Sequence, residues 1–168
     1  HMESVGYDMC LKLLGEAVSE EKGEAAQSAD LDCLIDISVN AHIPESYVES
    51  LTLRLDVYRR IADIRNKEDS LDVKDELKDR FGEIPESVLG LIDIALIRNC
   101  ANAMGIYEIR QTDTNVLLFV KEIKSPKVIE LLSRLNGRAM LSAGNKPYIT
   151  IRCGGGSSLD MLKKVFKI

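Results

Sequence analysis

The chain has 168 residues, 45% of them hydrophobic and 5% aromatic, with no tryptophan and a net charge of -5. That length accommodates one ordinary domain with a short appendage, built around an aliphatic core. No run of about 18 apolar residues is present, which excludes a membrane-spanning helix, and no secretory pattern opens the chain, so a cytoplasmic location is expected.

Charge is unevenly spread. Residues 121–168 hold ten Lys or Arg and three Asp or Glu, a balance of +7, so residues 1–120 carry -12 of the total -5. An acidic front argues against a nucleic-acid partner for that half. The basic rear is open to two readings, a solvated mixed-charge surface or a contact with an anionic partner. Cys10, Cys33, Cys100 and Cys153 are scattered without a C-x-x-C pair. Reduced, buried thiols are expected there, and neither a zinc site nor a redox dithiol.

His1-Met2 reads as an expression remnant. Val5, Met9, Leu13 and Ala17 then share one face of a helix over residues 5–18. Residues 19–31 lack apolar rhythm and read as a linker. From Leu34 to Val39 the alternation predicts a strand with Ile35, Ile37 and Val39 on one face. Ile43-Pro44-Glu45-Ser46 recurs at Ile84-Pro85-Glu86-Ser87. Both copies read as helix starts, with Pro at the first position and Glu near the positive end of the dipole.

Leu51 to Arg65 is predicted as an amphipathic helix. Leu51, Leu55, Tyr58 and Ala62 edge its apolar arc on one side, and Leu53, Val57, Ile61 and Ile64 on the other. Arg54 and Arg65 fall inside that arc, where arginine needs a carboxylate or carbonyl partner. A structural salt bridge and a partner-binding arginine are both open. A second helix spans Asp72 to Phe81, with Ser70 as candidate N-cap and Gly82 as its stop. Pro85 to Met104 is apolar almost all round and reads as the central core helix.

The remainder is predicted as a hairpin over Ile106–Val120, a helix opened by Ser125-Pro126, strands at 139–141 and 148–151, and a closing helix at 159–166. The fold class is therefore α+β. A helical first half, after one strand, precedes a ββαββα-like half with a mixed or antiparallel sheet packed on helices.

Chemistry-bearing motifs are missing from the sequence. It has no P-loop, no G-x-G-x-x-G after a strand, no H-E-x-x-H and no EF-hand loop. His42 is the one histidine besides His1 and reads as a surface or capping residue. Gly154-Gly155-Gly156-Ser157-Ser158 reads as a turn with a serine N-cap. Asp72, Asp75, Glu76 and Asp79 crowd the outer side of their helix, interleaved with Lys74, Lys78 and Arg80. That face is open to three readings: a solvated surface, a docking surface for a basic partner, or a divalent-metal site, although no ligand set converges by spacing. No catalytic residue, metal ligand or cofactor is expected in this chain.

Several motifs together resemble one family. Arg54-Leu55, Tyr58-Arg59-Arg60-Ile61-Ala62, Glu76-Leu77-Lys78-Asp79-Arg80-Phe81-Gly82 and Pro85 are similar to the C-terminal domain of bacterial transcription-repair coupling factors, the Mfd family. Ala41-His42-Ile43-Pro44-Glu45-Ser46-Tyr47 resembles the entry into that domain. The match is close over about residues 32–110 and looser beyond, where the order of elements agrees. Val5 to Val18 resembles the segment that ends the family's translocase module, with Cys10 where the family often has Tyr. By that resemblance, residues 1–18 are a translocase tail, 19–31 a linker and 32–168 the regulatory domain.

The resemblance implies a regulatory role. Full-length members are ATP-driven DNA translocases that displace stalled RNA polymerase and recruit UvrA, with ATP and Mg in the motor and none in this part. The C-terminal domain is implied to be non-enzymatic and to pack on the UvrB-like N-terminal module, masking the UvrA-binding surface until released. Glu76 and Asp79, at i, i+3 spacing, are the implied intramolecular contact. Arg54, Phe81, Gly82 and Pro85 are the implied structural residues. An alternative is a domain supporting the motor that contacts DNA or RNA polymerase through its basic rear, with Lys121, Lys124, Lys127, Arg134 and Arg138.

Overall fold

A computed structural model describes residues 32–168. The expected tail helix, the linker and Cys10 lie outside the described residues. Within them the chain forms two compact units. One is Val39–Leu96; the other joins residues 32–38 to Ile97–Ile168.

The first unit is helical. Helix α1 spans Leu51–Ala62 and α2 spans Lys67–Phe81. Helix α3, Glu86–Ala103, belongs to this unit as far as Leu96 and to the second unit from Ile97 onward. Its core is aliphatic, as the composition demands. Val57 and Ile61 of α1, Val73 and Leu77 of α2, and Val88, Leu91 and Ile92 of α3 are all buried. Burial of such side chains drives folding at roughly 25 cal/mol per Å² of apolar surface removed from water.

Four local expectations are corrected here. Helix α2 starts five residues earlier than the periodicity suggests, capped by Asn66 and not by Ser70. The Asn66 Oδ1 accepts from the Asp69 amide at 2.8 Å, and the Asp69 Oδ2 accepts from the Arg65 amide at 2.9 Å. Ser70 is buried inside the helix and donates its hydroxyl to the Lys67 carbonyl. The second correction is that the Pro44 copy of the repeated tetrapeptide opens a single turn over residues 45–47, and α1 begins later, capped by Ser50. The Pro85 copy does precede a helix, and its carbonyl accepts from both Val88 and Leu89. The same start chemistry thus serves a turn or a helix, depending on the residues downstream of it.

The third correction concerns the arc on α1. Leu51 is 63% exposed and Leu55 42%, so the apolar stripe that packs is the narrower Val57–Ile61–Ile64 line. Arg65 lies exposed beyond the helix end. The fourth is the strand at the start, which ends at Asp36 while burial continues to Ile37.

The second unit is a mixed sheet with two helices of its own. Strands β1 (Leu34–Asp36), β2 (Ile106–Thr112), β3 (Asn115–Val120), β4 (Ala139–Ser142) and β5 (Tyr148–Arg152) lie in the order β1-β2-β3-β5-β4. Only the β1–β2 pairing is parallel. Thr112 pairs with Asn115, so the hairpin turns on Asp113-Thr114. Ile35, Ile109, Val116, Leu118, Ile149 and Ile151 are buried on one side, as period-two strands require. Helices α4 (Pro126–Leu135) and α5 (Ser158–Val165) bury Val128, Leu131, Leu162 and Val165. The serine caps read from the sequence are both present: Ser125 accepts from Val128, and Ser157 accepts from Asp160. The described residues are α+β, with a helical part followed by ββαββα. No described helix is long and apolar enough to cross a membrane.

Candidate protein-interaction face

Helix α2 carries the face the acidic pattern points to, and its two sides are sharply different. Val73, Leu77 and Ser70 are buried. Placed at about 100° per residue, Asp75, Glu68, Asp79, Asp72 and Glu76 then fall in one outward arc about 100° wide. Leu71, 50% exposed, stands at the edge of that arc. Lys74 and Lys78 run along the same edge, and Arg80 closes the other. The helix thus separates its charges laterally, with an acidic band between basic margins.

Glu76 and Asp79 differ in what holds them. The Glu76 Oε2 lies 3.5 Å from the Arg60 Nε of α1, and its side chain is only 39% exposed. Asp79 is exposed, and like Asp72 and Asp75 it makes no ion pair with any described residue. The arc therefore contains a second set, Asp72, Asp75 and Asp79, at i, i+3 and i+7, which the sequence pattern alone does not set apart from Glu76. The spacing is visible in the sequence; the engagement of Glu76 by Arg60, sixteen positions upstream, is not.

The end of α2 is clamped. Gly82 has φ +87° and ψ -161°, a region in which side chains are strained, and its amide donates to the Lys78 carbonyl. The Tyr47 hydroxyl sits between two carbonyls, at 3.2 Å from Leu77 and 3.0 Å from Gly82. Its ring packs on Phe81 at 5.7 Å, and the Arg80 guanidinium lies 4.9 Å from the Phe81 centroid. Burial, with the nearby Glu83 carboxylate, raises the Tyr47 pKa above its ordinary value, so the hydroxyl stays a donor at neutral pH. Pro85 stands three residues after Gly82, directly before α3.

Arg54 is satisfied without a carboxylate. Its Nη1 donates to the carbonyls of Val48 and Glu49, each at 2.8 Å, and so ties the start of α1 to the segment before it. The expected structural salt bridge is instead a pair of charge-assisted bonds to backbone. His42, half-buried, donates its amide to the Ser87 carbonyl at 3.2 Å.

The described cysteines offer no reactive alternative. Cys33 is buried, and burial pushes its thiol up to about 12. Burial also raises Cys100 and Cys153. Thiolate, the nucleophilic form, is scarce at such sites near pH 7. Among the described residues no group of three His, Cys, Asp or Glu is placed to hold a metal ion.

Comparison with known proteins places these features in a lineage. The model of the TRCF domain family matches residues 37–130. The transcription-repair-coupling factor of Bacillus subtilis is 30% identical over 98% of this chain, which spans 14% of that protein. The Staphylococcus epidermidis factor is 32% identical over 77% of the chain, which spans 11% of that protein. The Mycobacterium tuberculosis factor is 34% identical over 65% of the chain, which spans 10% of it. A crystal structure of the C-terminal domain of transcription-repair coupling factor superposes with a TM-score of 0.72. It covers 80% of this chain and 88% of its own, at 18% identity, and so shares the fold.

Proposed function

This chain belongs to the TRCF domain family, and from that premise we propose that it is the autoinhibitory, protein-binding domain of a transcription-coupled repair translocase. In this reading α2 docks on the UvrB-like module of the same protein and covers the surface that UvrA requires. The chain has no catalytic role of its own; ATP, Mg, DNA and RNA polymerase are matters for the rest of the protein. The observation that carries the reading is the acidic arc of α2, whose Asp72, Asp75 and Asp79 have no ion-pair partner among the described residues.

The physics of such a contact suits a reversible lock. Exposed carboxylate–arginine pairs contribute below about 1 kcal/mol each, so a few of them make a weak bimolecular contact. Tethering raises their effective concentration to roughly the millimolar range, so the contact forms within one molecule and can still open. Leu71 at the edge of the arc, 50% exposed, supplies an apolar group for a desolvated centre. Carboxylates on a rigid, capped helix lose little freedom on docking, and an arginine fork on the partner can take both oxygens.

Titrating this chain against a separately produced UvrB-like module tests the reading. Binding is expected at low ionic strength and is expected to weaken at least tenfold towards 1 M salt, where the Debye length falls to about 3 Å. Asp75→Lys with Asp79→Lys, both on the exposed arc, is expected to abolish it with no loss of thermal stability. Binding that ignores salt and survives this charge reversal would remove α2 from the contact.

A further inference from the structure

We infer that the second unit holds a binding cleft for a phosphate chain, on elements that take no part in the α2 contact. The cleft has a volume of about 1030 Å³ and opens beside α4, β5 and α5. Five cations line it: Arg134 at the end of α4, Arg138 just beyond, Arg152 closing β5, Lys164 in α5 and Lys167 after it. Asp160 is the single carboxylate in the lining. None of the five cations makes an ion pair with a described residue. A protein with net charge -5 has thus gathered an unneutralised cationic group at one place. Like charges held together repel, and a polyanion relieves that repulsion.

The cluster is held in position by its surroundings. The Arg134 Nη2 donates to the Val165 carbonyl at 3.0 Å, which pins its guanidinium between α4 and the end of α5. The Arg138 amide donates to the Leu135 carbonyl at 2.8 Å across a turn in which Gly137 has φ +81°. Gly154, also in the lining, has φ +64°, and a Cβ there would meet nothing within 4 Å, so space is open beside it. Asn115 also contributes to the lining.

The lining suits a chain of phosphates. Arginine forks take two oxygens of one phosphate, and several cations along one cleft match successive phosphates of a chain. Base stacking is not part of the recognition. The aromatic row Tyr107–Phe119–Tyr148 packs on itself, and the Arg110 guanidinium covers the Phe119 ring at 5.1 Å. Recognition is therefore of the backbone and indifferent to base sequence. A single-stranded nucleic acid and a free polyphosphate share this chemistry.

Fluorescence anisotropy with a labelled oligothymidine strand, and competition by inorganic tripolyphosphate, separate the two sources. Salt-dependent binding of the strand is expected, with a log–log slope of about -0.7 for each phosphate neutralised. Arg138→Ala with Arg152→Ala, both exposed side chains, is expected to weaken it at least tenfold, to flatten the slope by about 1.4, and to leave the melting temperature unchanged. Tripolyphosphate that binds in the same variant-sensitive way, with no binding of the strand, assigns the cleft to a free phosphate chain. Failure of both to bind, equal binding by the double variant, or equal displacement by polyglutamate would overturn the inference. Glu76→Ala with Asp79→Ala is expected to leave this binding intact, so the cleft and the α2 contact stand or fall separately.

Discussion

Leu77→Ala is expected to destabilise the folded chain by about 2–5 kcal/mol, the range for truncating a fully buried leucine. Leu77 has no exposed surface and lies on the inner stripe of α2 with Val73, also fully buried. Removing three carbons there forfeits their transfer free energy and leaves a cavity whose walls relax only in part. The position also couples core to surface. The Leu77 carbonyl accepts from the Tyr47 hydroxyl, so loosened packing at Leu77 is transmitted to the clamp at the end of the acidic arc. Urea unfolding followed by circular dichroism measures the effect, with an unchanged m-value expected. Leu71→Ala, on the half-exposed side of the same helix, is expected to stay within about 0.5 kcal/mol.

Gly82→Ala is expected to cost about 1–3 kcal/mol by a different route. A Cβ at this position meets nothing within 4 Å, so no clash in space is involved. The whole cost is conformational, because φ +87° with ψ -161° is backbone that only glycine adopts without strain. The same urea experiment reads it. A second readout is the Tyr47 environment, since the Gly82 carbonyl is one of the two that its hydroxyl bonds. A neutral result would mean that the corner between α2 and α3 relaxes freely and does not fix the end of the arc.

How much of the fold a sequence discloses depends on the range over which each signal acts. The near-continuous apolar pattern of Val88 to Ala101 and the serine caps at 125 and 157 are local, and local reading finds them. So is the glycine stop at 82. The start of α2 escapes periodicity because residues 67–69 are Lys-Glu-Asp, with no apolar rhythm to announce a helix, while the informative pair is Asn66 and Asp69. Leu51 and Leu55 read as core because periodicity identifies an apolar arc without saying how much of it another element covers. The partners of Arg54 and Glu76 depend on tertiary geometry: two free carbonyls for one, a neighbouring helix for the other. The basic cleft gathers cations from Arg134 to Lys167, 33 positions apart, and in the sequence it shows only as a diffuse positive balance.

The same distinction governs function. Family membership rests on motifs spread over residues 37–130, and the fold on a superposition that covers most of the chain. The contact itself is an inference from an outward acidic arc on a rigid helix. Under the proposed masking, that arc is measurable at a distance. If the lock is closed most of the time, UvrA encounters only the open fraction, and its apparent affinity is lowered by that fraction. In that reading, weakening the lock strengthens UvrA binding.

The most direct measurement is therefore the affinity of UvrA for the full-length protein carrying Glu76→Ala with Asp79→Ala. Loss of two carboxylates, each contributing up to about 1 kcal/mol, is expected to raise that affinity about three- to thirtyfold at low salt. The gain is expected to shrink as salt alone opens the contact in the unaltered protein. UvrA affinity that is the same with and without the two substitutions, in a protein that melts normally, would contradict the lock.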